Sequence, residues 1–182
     1  MPAPDFSALL KWPDVPAVYG WLRLDRRGQW RLRDAPVRHA GLAAFMSRQY
    51  ASDDAGNWFV QNGPQRVFVA LDYTPWVFRL AAADMLIAHT GEAAGDTTEI
   101  LLDEDGGMLL ATELGVGLVD DRDLAAVAAD CRHAAGEDGL EALERWLTRG
   151  GELRWRGLVV QRVARATVAT RYGFCPAPAI RS

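Results

Sequence analysis

Apolar and polar residues alternate from Tyr19 to Arg33, and the alternation breaks once, at Asp25-Arg26-Arg27-Gly28. A period of two is the signature of a half-buried strand, so this stretch predicts a hairpin. Asp25 opens a type I turn and Gly28 takes the left-handed position of a G1 bulge. That register sets Leu24 opposite Trp30 and Leu22 opposite Leu32, giving one apolar face. Trp21, Arg23, Arg31 and Arg33 fall on the other. Next, Leu42, Phe45, Met46 and Gln49 or Tyr50 recur at helical spacing, which predicts an amphipathic helix over 38–51 that covers the apolar face. Strand patterns follow at 58–61 and 66–72, joined around Asn62-Gly63-Pro64, and again at 75–80 and 85–89.

The pattern then returns. Leu102-Asp103-Glu104-Asp105-Gly106 repeats Leu24-Asp25-Arg26-Arg27-Gly28 78 residues later, inside a second apolar hairpin at 100–110. It leads through Gly115 to Val119 into a helix capped by Asp120 or Asp121, with Leu124, Val127, Ala128 and Cys131 on one side. Asp138, with Glu141 three residues on, opens a further helix that bears Leu140, Leu143, Trp146 and Leu147 and closes at Gly150-Gly151. Strand character resumes over 153–170, with a break at Gly157. The expected class is α+β: strongly curved antiparallel sheets, each packed on one or two helices, in two sheet-plus-helix domains with an internal duplication. The expected boundaries are an arm at 1–17, packing through Phe6, Leu9, Leu10 and Trp12, a domain at 18–90 and a domain at 91–182.

Charge is sorted into three blocks. Residues 1–83 carry ten Lys+Arg against seven Asp+Glu, residues 84–144 two against sixteen, and residues 145–182 eight against one. Such sorting points either to partners of opposite sign or to blocks that neutralise one another on folding, and the second is the favoured reading. A net charge of −4 opposes nucleic acid as a partner. No run of 18 apolar residues, no basic amphipathic helix and no leader pattern at the N-terminus point to membrane binding or export, so a cytoplasmic protein is expected. Cys131 and Cys175, one in a helical pattern and one in a Pro-rich tail, are expected to stay reduced.

Several chemistries are excluded outright. Lys11 is the only lysine, so a Walker phosphate loop and a Schiff-base lysine in the core are ruled out. None of Ser7, Ser47, Ser52 and Ser182 stands in a nucleophile elbow. His39, His89 and His133 are far apart, and neither cysteine has a neighbour at zinc-ligand spacing. The run 103–107 fails as a calcium loop because Leu101 would occupy its first ligand position; a hairpin turn with solvated carboxylates accounts for it better. Asp120, Asp121 and Asp123 read first as helix-capping and first-turn charges, with acid–base or magnesium chemistry as the alternative. No cofactor is expected.

What remains is arginine, 19 of the 20 basic residues, beside tryptophan. A forked guanidinium next to an aromatic ring suits a phosphate and a stacked base. The polar cluster Gln61-Asn62-Gly63-Pro64-Gln65 before Arg66 supplies the remaining donors.

The order Gly20-Trp21-Leu22, Asp25-Arg26-Arg27-Gly28-Gln29-Trp30, Pro36-Val37-Arg38, then Gly56-Asn57-Trp58-Phe59-Val60, Pro64-Gln65-Arg66-Val67, Asp72 and Pro75-Trp76-Val77 resembles an uncharacterised bacterial family of small cytoplasmic proteins. The match covers about 18–80, with a looser one at 98–119. The resemblance implies a duplicated core, a C-terminal half like a pleckstrin-homology barrel, a ligand site between the halves, and a nucleotide-like ligand in a signalling role. This chain departs from the pattern at Gln65, where an acidic residue is usual, and in an Ala- and Asp-rich insertion between Asp120 and Gly150. The resulting expectation is a non-enzymatic module that binds a small anionic ligand through Asn62, Gln65, Arg66 and Trp76. The alternatives are a protein-interaction adaptor and, behind it, a metal-dependent phosphoester hydrolase using Asp120, Asp121 or Asp123.

Overall fold

The computed structural model describes residues 13–81 and 85–180. They form an α+β chain with fourteen strands and four α-helices. The packing residues expected for the N-terminal arm, Phe6, Leu9, Leu10 and Trp12, lie outside the described residues. The chain divides into two compact units. The first holds Gln29–Tyr73 with the segments before Arg26 and after Tyr172; the second holds Thr74–Tyr172 and the turn Arg26–Gly28.

In the first unit the strands are β1 (Ala17–Leu24), β2 (Trp30–Leu32), β3 (Ala35–Pro36), β4 (Tyr50–Ser52), β5 (Trp58–Asn62) and β6 (Gln65–Leu71), with helix α1 (Ala40–Arg48) between β3 and β4. Their order is β3-β2-β1-β6-β5-β4. The hairpin has the register read from the sequence: Leu22 faces Leu32 and Leu24 faces Trp30. Leu22, Leu24, Trp30, Val60, Val67 and Val69 make one buried face, with Leu42, Phe45 and Met46 of α1, and Phe59 and Phe68 are buried on the other. The helix is shorter than the expected 38–51. The Gln49 N–H closes onto the carbonyls of Phe45 and Met46, and Tyr50 leaves to pair with Val60. Tyr50 packs between Trp30 and Trp58 at 5.2 and 4.6 Å, so the interior here is aromatic.

The second unit contains β7 (Trp76–Leu80), β8 (Leu86–Ala88), β9 (Thr97–Asp103), β10 (Met108–Thr112), β11 (Gly115–Val119), a 3-10 turn (Asp121–Asp123), α2 (Leu124–Ala129), β12 (Cys131–His133), α3 (Gly139–Arg149), β13 (Leu153–Trp155), β14 (Leu158–Val163) and α4 (Arg165–Tyr172). Its sheet runs β12-β13-β14-β9-β10-β11-β7-β8.

Both sheets are mixed, where wholly antiparallel ones were expected. β1 with β6, β7 with β11, and β9 with β14 pair in parallel. Parallel neighbours need a long crossover, and each sheet has one that passes through helices. Two further expectations are corrected. Cys131 is not helical: α2 stops at Ala129, where the Asp130 N–H bonds back to Val127, and Cys131 opens a strand opposite Trp155. The last part of 153–170 is not strand either, since Arg165 begins α4.

The two sheets contain the same path. In the first, three strands, a helix and three strands give β3-β2-β1-β6-β5-β4, with the first and last strands parallel. In the second, β9 to β14 give β11-β10-β9-β14-β13-β12 when read outward, again with first and last parallel. The turns match in detail. Asp25 Oδ1 accepts the Gln29 N–H at 2.9 Å, and Asp103 Oδ1 accepts the Gly107 N–H at 2.6 Å. Gly28 and Gly106 hold φ of 71° and 82°. Helix α3 is the extra piece, inserted between β12 and β13. Asp103 is buried, not solvated as its acidic neighbours implied.

Candidate functional site

The side of the first sheet facing away from α1 carries an aromatic row. Tyr19 stacks on Phe68 at 4.4 Å with rings nearly parallel, and Phe68 meets Phe59 edge-on at 5.9 Å. Two guanidiniums cap it: Arg33 lies 3.8 Å over Trp21, and Arg66 lies 4.5 Å over Phe59. Strand alternation creates this face, because Tyr19, Trp21 and Arg23 share one side of β1 while Val18, Leu22 and Leu24 share the other. Arg33 sits in a left-handed turn, φ 53°, between β2 and β3.

Three of the four expected site residues share the β5–β6 hairpin. Asn62 pairs with Gln65 and Gln61 with Arg66. The tip is largely self-satisfied: Gln61 Nε2 donates to the carbonyls of Gly63 and Gln65, while Gln65 Nε2 donates to those of Pro13 and Val15 at 2.8 and 2.5 Å. Gln65 thus fastens the chain entering β1. An acid there would lack these donors. Trp76 belongs to the second unit, where it is 6% exposed in β7 and lies 5.7 Å from His89. Phe59, Phe68 and Tyr19 were missed in the sequence reading; the alternation Tyr19-Trp21-Arg23 and Phe59-Gln61 was the signal that places them with Arg66.

The charge blocks neutralise one another within the second unit. From the first block, Arg27 binds Asp121 through two bonds of 2.9 and 2.8 Å, and Arg79 binds Asp123 at 2.6 Å. From the last block, Arg165 meets Asp105, Arg171 meets Glu99, and Arg145 meets Glu137. Asp120, fully buried, takes Arg122 through both carboxylate oxygens. Burial pushes the Asp120 carboxyl up, but the hydrogen bonds from the Arg122 side chain and backbone outweigh it and hold the group at about 2. The Arg79 hydrogen bond likewise lowers Asp123. All three aspartates considered for metal chemistry are therefore engaged by arginines. No group of three or more His, Cys, Asp or Glu able to hold a metal occurs among the described residues. Nor is any described helix long and apolar enough to cross a membrane. Cys131 and Cys175 are not joined.

One titration follows from this geometry. Burial lowers His89 from 6.5 to about 3, with Nδ1 3.4 Å from the Val77 N–H. The unfolded chain therefore takes up a proton near pH 6.5 that the folded chain refuses until about pH 3. Stability is full above pH 6.5 and falls as pH drops through this window, by about 1–2 kcal/mol at pH 5. The carboxyl of Asp120 contributes a separate loss only below about pH 4. Urea midpoints between pH 7 and 4.5 should show the decline, and His89→Asn should flatten it. A wild-type profile already flat over that range would contradict the assignment.

A family model described as "Protein of unknown function (DUF2946)" matches residues 5–179. The chain belongs to this family. None of the curated proteins matches it. Among solved structures, a DUF1285 family protein from Silicibacter pomeroyi DSS-3 is similar, with 14% identity and a TM-score of 0.52 over 80% of this chain and 93% of that one. A second DUF1285 family protein, from Shewanella baltica OS155, has 15% identity and a TM-score of 0.44, covering 57% of this chain and 87% of that one. The first likeness shows a shared fold and nothing of function.

Proposed function

We propose that this DUF2946 protein is a non-enzymatic cytoplasmic module that binds a small anionic ligand, nucleotide-like in combining a phosphate with a flat ring, and serves signalling. The supporting observation is the pair Arg33 over Trp21 and Arg66 over Phe59. Arg156, Arg162 and Arg171 also lie on rings, over Trp155, Trp146 and Tyr172, but those rings belong to the second unit. Arg33 and Arg66 are the two on the first sheet, and a guanidinium stacked through its flat face has its N–H donors at the edge, where an anion can meet them. Asn62, Gln65 and Arg66 are the proposed contacts, all on the first unit.

The matching strand order of β1–β6 and β9–β14 supports descent by duplication, with one copy in each of the domains 18–90 and 91–182. A pleckstrin-homology-like second half is in keeping with a many-stranded sheet followed by the C-terminal helix α4.

A thermal-shift screen of nucleotides tests the ligand reading. A micromolar binder at a hundredfold excess over its dissociation constant adds about 2.7 kcal/mol, which raises the midpoint by about 5–10 °C. The shift should vanish in the Arg33→Ala/Arg66→Ala double variant. If no nucleotide stabilises the wild type, the reading fails.

A protein-interaction role has one observation in its favour: Leu140 and Leu147, one face of α3, are 66% and 49% exposed beside Glu141 and Glu144.

A further inference from the structure

The repeated path gives each sheet an internal standard for the other. Trp30 of β2 stands opposite Leu24, and Met108 of β10 stands opposite Leu102, at the same place after the same turn. In the first unit this position is filled by an indole that is 4% exposed. It is held by a 3.1 Å hydrogen bond from Nε1 to Ser47 Oγ of α1 and by the edge-on contact with Tyr50. In the second unit the helix after the third strand, α2, is six residues long where α1 has nine, and the residue at the indole's position is a methionine.

The interior left by these changes is hollow. A cavity of about 110 Å³ lies between the sheet and helices α2 and α3, walled by Met108, Leu124, Val127, Cys131, Leu143 and Leu153. Native interiors are packed to near crystal density, so an apolar cleft of this size between elements leaves its lining short of protein partners. A wall this apolar offers water few hydrogen-bond partners, so an apolar guest gains by displacing it; an apolar cavity of about 150 Å³ takes up benzene or xenon. Leu102, Leu124 and Leu143 are half-buried, so the cavity reaches the surface between the turn after β9 and the two helices. The one thiol in the wall, Cys131 Sγ, donates toward the Val127 carbonyl at 3.8 Å.

We propose that this cavity is a binding site for a small uncharged apolar molecule of about the size of a benzene ring, occupying the place that the Trp30 indole fills in the first unit. The site discriminates by charge as well as size. Its wall offers no hydrogen-bond partner to an ion, so burying one would cost far more than the contacts return. It is separate from the arginine-capped face of the first sheet, and either can fail without the other.

The test uses the full chain with benzene as probe and benzoate as its charged counterpart. Benzene near aqueous saturation should raise the wild-type thermal midpoint by about 2–4 °C, and benzoate at the same concentration should not. Met108→Trp installs the first unit's residue and should weaken benzene binding at least tenfold. Met108→Phe, a smaller fill, serves where the tryptophan variant does not fold. Crystals held under xenon pressure should show a xenon atom beside Met108 in the wild type. No benzene shift together with no xenon there, an equal shift in a folded filling variant, or an equal response to benzoate would overturn the proposal.

Discussion

Trp155→Ala should cost about 3–5 kcal/mol of stability, the range for removing a fully buried large aromatic. Trp155 is 1% exposed, faces Cys131 on one neighbouring strand and Leu158 on the other, and carries the Arg156 guanidinium 4.3 Å over its ring. The loss is large against a total of roughly 5–15 kcal/mol and should lower the thermal midpoint by about 10 °C. The indole Nε1 is buried and finds no acceptor. Trp155→Phe, which deletes that unsatisfied donor while keeping a ring, should therefore cost less than half as much. Denaturant midpoints with an unchanged slope check both. An alanine variant within 1 kcal/mol of wild type would mean that β13 contributes little to the second core.

Gly56→Ala should cost about 3 kcal/mol, for two separable reasons. Gly56 holds φ of 77°, which an alanine adopts only with strain, and a Cβ there would sit inside contact distance of the Gly173 carbonyl oxygen. The nearest atoms, of Gly173 and Phe174, are all backbone, so no flexible side chain gives way. The same glycine's carbonyl accepts the Cys175 N–H at 2.9 Å, and the Pro176 carbonyl accepts the Leu71 N–H, so the C-terminal segment is fastened to the first sheet at this corner. Amide exchange at Cys175 and Leu71 should accelerate in the variant. Unchanged protection would show that the segment does not depend on Gly56. Gly63, also left-handed but with open space where its Cβ would project, isolates the conformational part, and alanine there should cost only about 1 kcal/mol.

These positions mark what could be read from the chain and what could not. The Leu24–Trp30 register, the turn glycines and the repeat at 78 residues were legible because period-two alternation and left-handed turns are local. The end of α1 and the strand at Cys131 were not. Leu124, Val127, Ala128 and Cys131 fit a helix by spacing, and only pairing with the distant Trp155 pulls Cys131 out of it. Parallel pairing of β1 with β6 and of β9 with β14 depends on contacts across more than forty residues, for which alternation carries no signal. At the candidate site, Arg66 and its hairpin were visible in the sequence. That Phe59 lies beneath Arg66, and that Gln65 is spent on the Pro13 and Val15 carbonyls, depends on side-chain geometry. The sorted charge foretold pairing in general; which acid meets Arg27 or Arg171 is a product of the fold.

A density map from crystals grown with a nucleoside triphosphate reads the ligand's position along with its presence. Phosphate density is expected against the guanidinium of Arg33 or Arg66, with a base over the aromatic row of the first sheet. A nucleotide bound away from that row, or both guanidiniums bare at a saturating concentration, would contradict that placement.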